Sequence, residues 1–158
     1  MWTLMRALVY ATFFVGVLLV LVPSQVLSIS GIPLPHAFGL QQAFGLVVVL
    51  MGAALGISCI LTFVFIGKGT QAPFDAPRHL VIRGPYHVIR NPMYLGATGV
   101  LAGAALYYGS AALSIYAIAF WIVTQCGVIF LEEPALSRTF GNEYEAYRSR
   151  VGRWLPRL

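Results

Sequence analysis

Two long apolar runs, Met93–Tyr108 and Ala111–Leu131, are separated by nothing but Gly109-Ser110. A connection that short between helices leaves only an antiparallel pair, so both far ends return to one face. At about 1.5 Å of rise per residue, each far end lies roughly 25–35 Å from the turn. Arg90-Asn91-Pro92-Met93-Tyr94-Leu95-Gly96 stands at one of these ends and Glu132-Glu133 at the other. The expected hairpin sets an arginine beside a helix N-terminus against two carboxylates at a helix C-terminus, an arrangement suited to a zwitterionic ligand.

The surroundings of this hairpin are equally apolar. Hydrophobic residues make up 59% of the 158 positions and charged ones 9%, against about 25% charged in soluble domains, and the mean hydropathy is +0.81. Four stretches are long enough to span or nearly span a bilayer: Ala7–Val22, Ala43–Ile66, Met93–Tyr108 and Ala111–Leu131. Spanning takes roughly 20 apolar residues, and the first and third, at 16 each, need bilayer thinning or flanking residues to do so. All ten Lys and Arg fall at the N-terminus (Arg6), between the second and third stretches (Lys68, Arg78, Arg83, Arg90), or after the fourth (Arg138, Arg148, Arg150, Arg153, Arg157). The connections Pro23–Gln42 and Gly109-Ser110 carry none. The expectation is one all-α integral membrane domain over residues 1–158. Its four transmembrane helices end in a tight hairpin, with both termini and the Gly67–Asn91 loop in the cytoplasm.

The net charge of +5 then reads as orientation and contact with anionic membrane lipids. Nucleic acid is excluded as a partner, because basic and aromatic residues do not interleave outside the membrane-flanking segments. No obligate protein partner is evident. Arg6, the apolar run after it and the small residues near Ser28–Gly31 also fit a secretory signal, although the run is long and lacks an Ala-x-Ala site. Cys59 and Cys126 lie inside apolar stretches with neither disulfide nor metal spacing, and read as buried hydrophobes.

The Gly67–Asn91 loop, with three prolines before Arg90, is expected to be an ordered surface loop. Asn91-Pro92 combines an N-cap residue with Pro at the first helical position, which starts the third helix there. Free N–H groups at that start favour a carboxylate, with Arg90 beside them. The competing reading is that Arg90 snorkels to lipid phosphate and Asn91 only caps. Adjacent acids at a helix C-terminus oppose the helix dipole and repel each other, and acids at membrane depth usually mark a site. The alternative is that Pro134 starts a new helix and the two Glu cap it in water. With no His or Asp clustered nearby, an organic cation suits the pair better than a metal. Beyond them, Phe140, Tyr144, Tyr147 and Val151 recur at helical spacing. With Trp154 and Arg157, that helix can lie on the headgroups or fold back over the two ends as a lid.

Gly84-Pro85-Tyr86, Arg90-Asn91-Pro92-Met93-Tyr94-Leu95-Gly96, Glu132-Glu133, Leu136 and Phe140-Gly141-x-x-Tyr144-x-x-Tyr147 resemble the isoprenylcysteine carboxyl methyltransferase and phospholipid methyltransferase superfamily over roughly residues 67–158. The resemblance implies a membrane methyltransferase dependent on S-adenosyl-L-methionine, here a small bacterial-type member of an inner membrane. The acceptor it implies is lipophilic: a lipid amine, a thiol or a prenylcysteine-like carboxylate. By position, the resemblance implies cofactor contacts at Gln71, Arg78, His79, Leu80, Val81, Tyr86, Asn91, Pro92, Met93, Tyr94 and Glu132, to which the charge reading of the hairpin ends adds Arg90 and Glu133. It implies no metal and identifies no catalytic residue. The family's Arg-His-Pro is Arg-Asn-Pro here, which removes the imidazole while leaving an amide that can cap or donate. Val128 stands where isoprenylcysteine enzymes carry an Arg for the substrate carboxylate, and Ile122, Val123 and Ile129 around it offer only apolar contact.

Methyl transfer from a sulfonium asks chiefly for alignment and exclusion of water, in surroundings that tolerate loss of charge at sulfur. A base is needed only for a protonated nucleophile. Of the three histidines, His79 and His87 are the candidates, each of which also reads as a surface loop residue. Two other classes fit parts of the pattern. One is a sterol-reductase-like membrane enzyme using NADPH, for which only Arg78 and Arg83 would meet a 2′-phosphate. The other is a membrane scaffold without catalysis.

Overall fold

A computed structural model describes residues 14–35, 37–62, 65 and 80–157. The described residues are helical throughout, apart from short connections and one isolated bridge between Ile89 and Gly152. A π-helical segment, Val15–Leu21, runs into α1 (Val22–Ile29). After it come α2 (Leu40–Thr62), a 3-10 turn (Gly84–His87), α3 (Pro92–Tyr108) and α4 (Ala111–Gly127). A second π-helical segment, Val128–Glu132, leads to α5 (Glu133–Phe140), and α6 (Asn142–Arg150) closes the order.

The hairpin turn forms as its residues dictate. Gly109 takes the left-handed conformation (φ 61°) that ends α3, a geometry that a Cβ disfavours, and Ser110 caps α4 by accepting a hydrogen bond from the Leu113 N–H. The carbonyls left over at the end of α3 are met from α2: Gln41 Nε2 donates to Leu106 O at 2.8 Å and Gln42 Nε2 to Tyr107 O at 3.4 Å.

The pairing of α2 with α3 is set by glycine. A Cβ on Gly45 would lie 2.6 Å from Tyr107 N, one on Gly52 2.6 Å from Gly96 O, and one on Gly103 2.6 Å from Val49 N. The residue numbers run in opposite directions along the two helices, the signature of antiparallel helices whose backbones touch. Small residues at such a seam permit the close approach on which helix association in lipid depends. The large side chains point the other way: Leu46, Val47, Leu50 and Met51 of α2 and Ile115, Ile118, Ile122 and Val123 of α4 are exposed. A surface this apolar belongs in hydrocarbon rather than water. Two helices, Leu40–Thr62 with 23 residues and the continuous Ala111–Phe140 with 30, are long and apolar enough to cross a membrane. The hairpin core is Ala97 and Leu101 against Ala117 and Phe120, with Phe14, Leu18 and Leu19 of the first helical segment packed on it.

Three expectations change. The first helix continues to Ile29 instead of ending at Val22, so Pro23 lies inside it, and residues 1–13 lie outside the described residues. The fourth helix does not stop at Leu131 but continues through the Glu pair to Phe140. One device explains both. A π turn precedes each proline, with Val22 N–H bonded to Val17 O and Glu133 N–H to Val128 O, and the widened turn takes up the missing N–H and the ring of a mid-helix proline. Glu132 and Glu133 are therefore mid-helix residues, and the argument from a C-terminal dipole does not apply to them. Finally, Cys59 is buried as expected, whereas Cys126 is exposed on the outer face of α4.

Candidate functional site at the open end of the hairpin

The hairpin brings its two motifs together at the end opposite the Gly109 turn. Tyr94, in the first turn of α3, donates its hydroxyl to Glu132 Oε2 at 3.2 Å. This bond joins the first turn of α3 to the acidic pair.

The two acids have different surroundings. Glu133 is 7% exposed and is held by two guanidinium groups. Arg153 bonds both its oxygens, at 2.7 and 2.9 Å, and Arg90 Nη1 lies 3.1 Å from Oε1. A buried carboxylate requires this degree of pairing. Glu132 is half-buried, and Tyr94 is the partner it holds among the described residues. The alternative, in which both acids lie in water as caps of a new helix, does not hold for the buried Glu133.

Arg90 is nearly enclosed. Its Nη1 also donates to the Tyr144 hydroxyl at 3.0 Å, while its buried Nε has no partner among the described residues. Asn91 and Pro92 occupy the N-cap and first helical positions as expected. The Asn91 side chain does not cap: its amide donates to Arg153 O at 3.3 Å, which leaves the first-turn N–H groups of α3 without a side-chain cap. Uncapped N–H groups at the start of a 17-residue helix form an anion-favouring position.

The segment after α5 folds back over this end. Tyr144, Tyr147 and Val151 are buried against Leu80, Ile82, Leu136 and Phe140, and Tyr147 donates to Tyr86 O at 2.6 Å. Burial pushes the Tyr144 and Tyr147 hydroxyls above their ordinary range, with Arg90 opposing it. The Arg153 guanidinium is raised as well, first by its hydrogen bonds to Glu133.

Of the residues expected around a cofactor, Arg90, Asn91, Tyr94, Glu132 and Glu133 meet in this network. Val81, Tyr86 and Met93 pack on Cys59, Leu80 joins the Tyr144 cluster, and Pro92 is fully buried. Gln71, Arg78 and His79 lie outside the described residues. His87 is exposed at the end of the 3-10 turn, lining a shallow cleft with Arg150 and Arg157. Val128, expected to face an acceptor, is 1% exposed and belongs to the packed interior. Sequence reasoning missed Arg153 as a member of the site. Its partner lies twenty residues away with no helical spacing to connect them, and a basic tail next to a membrane reads first as headgroup contact. Among the described residues no group of three or more His, Cys, Asp or Glu could hold a metal ion.

The fold and site define an all-helical protein with two helices able to cross a membrane and a charged cluster at one end of its hairpin. Residues 40–143 match the family model for phospholipid methyltransferases. That match takes in about two-thirds of the chain, and the chain belongs to this family, whose membership implies methyltransferase activity. No curated protein and no solved structure matches it.

Proposed function

We propose that the protein is a multi-pass membrane methyltransferase that uses S-adenosyl-L-methionine and acts on a lipophilic acceptor. The observation that carries this reading is the Tyr94–Glu132 bond. It fixes a carboxylate lacking a cationic partner among the described residues one side chain away from an uncapped helix N-terminus. An amino acid's ammonium suits the first and its carboxylate the second, and Arg90, whose buried Nε has no partner among the described residues, stands two residues before α3. Glu133, with both oxygens already engaged, serves the architecture of the site. Held between Glu132 and the first turn of α3, the cofactor would supply a methyl group already activated by its sulfonium, for transfer to the acceptor's lone pair with the carbon–sulfur electron pair left on sulfur. The chain's own part is to align the partners and keep water out.

An acceptor arriving from the bilayer is supported by Phe130 and Leu131, both 71% exposed next to Glu132. Titration of the detergent-purified protein with S-adenosylhomocysteine and NADPH tests the reading. S-adenosylhomocysteine should bind and NADPH should not. Glu132→Gln keeps an acceptor for Tyr94 but removes the charge, and should weaken S-adenosylhomocysteine at least tenfold, as expected when a desolvated charge pair loses one member. Wild-type affinity in a well-folded Glu132→Gln variant would remove Glu132 from the site, and NADPH binding alone would replace the reading with that of a reductase.

A further inference from the structure

Three consecutive tail residues, Gly152 to Trp154, bond to the segment before α3, to α5 and to α4. Gly152 O accepts the Arg90 N–H at 2.9 Å, beside the bridge to Ile89. Arg153 O accepts from Asn91 while its guanidinium holds Glu133 with two bonds. Trp154 Nε1 donates to Gln125 Oε1 at 2.6 Å, and its ring meets Trp121 at a centroid distance of 4.3 Å. One short strap thus ties the start of α3 to the helix that carries the Glu pair. Gly152 is the residue that lets the strap turn, because a Cβ there would collide with Leu155 O.

We infer that Arg153 is a positioning residue for the cofactor: through Glu133 it fixes the place of Glu132 relative to the first turn of α3. This rests on the assignment of Glu132 and the α3 start to the cofactor's amino-acid end. The geometry argues for positioning rather than contact, since both Glu133 oxygens are bonded to Arg153, and the arginine's own carbonyl accepts from Asn91, the N-cap residue of α3. Losing the latch would leave Glu133 its bond to Arg90 while freeing the spacing between the two ends of the hairpin.

Full-length wild-type, Arg153→Ala and Arg153→Lys proteins in detergent provide the test, with S-adenosylhomocysteine titrated calorimetrically and trypsin cleavage after Arg150 followed in parallel. Arg153→Ala should lower the affinity at least tenfold and speed cleavage, while Arg153→Lys, able to hold one Glu133 oxygen, should restore most of the affinity. An Arg153→Ala protein with wild-type affinity overturns the proposal. Equal losses of affinity and thermal stability in both variants also overturn it, since that pattern belongs to general folding. A wild-type protein that binds no S-adenosylhomocysteine overturns the methyltransferase reading, and this inference with it.

Discussion

Tyr86, Tyr144 and Tyr147 form the buried underside of the site, and each hydroxyl is held above its ordinary range first of all by burial. A raised tyrosine keeps its proton longer in the folded chain than in the unfolded one. Its contribution to stability is complete below the unfolded value of about 10 and is lost as the pH rises through the folded value. Thermal unfolding in detergent from pH 8 to 11 should therefore show a flat midpoint up to about pH 10 and a decline above it. Tyr144→Phe should make the decline shallower, and parallel curves for the variant and the wild type would show that this hydroxyl does not carry it. The sequence drew attention to the same neighbourhood through Arg90 and the Glu pair, but not to the division of labour between Glu132 and Glu133. That division depends on Arg153, whose approach is a matter of tertiary folding.

Among the elements, those set by local chemistry were legible in the sequence. Gly109-Ser110 contains its own left-handed C-cap and N-cap, and Asn91-Pro92 marks the start of α3 to the residue. The continuation of both helices through Pro23 and Pro134 was not legible, because a proline reads as a stop unless the preceding turn widens. The seam between α2 and α3 was present in the sequence as Gly45, Gly52, Gly96 and Gly103, but scanning for apolar length treats glycine as filler and passes over its role in contact. The seam carries a direct prediction. Gly52→Ala forces a Cβ to within 2.6 Å of a backbone oxygen and should destabilise by about 1–3 kcal/mol, the range for overpacking. Gly127→Ala, with nothing within 4 Å of the new carbon, should be neutral or gain up to about 1 kcal/mol from helix propensity. Thermal shifts in detergent compare the two, and similar losses in both would reject close packing as the reason for Gly52.

At the scale of the whole molecule, the helices define two unlike ends. Gln41 and Gln42 meet Leu106 and Tyr107 beside the Gly109 turn, and the segments around that end, residues 30–42 and 109–110, contain neither Lys nor Arg. The opposite end holds Arg90, Glu133 and Arg153 in one network, with Arg138, Arg148, Arg150 and Arg157 on the helices and tail that follow it. For the four crossings expected from the sequence, the positive-inside rule applied to this division predicts that the charged end, and the site with it, faces the cytoplasm. Ser30 and Ser149, both exposed, lie on opposite sides of that division. Single cysteines introduced there in a background lacking Cys126 should be labelled from opposite faces of the membrane by an impermeant maleimide. The residue-149 variant should react only once the cytoplasmic face is opened. Labelling of both from the same face would break the four-crossing arrangement. It would also separate the site from the cytoplasmic pool of a water-soluble methyl donor, on which the proposed reaction with a lipid-borne acceptor depends.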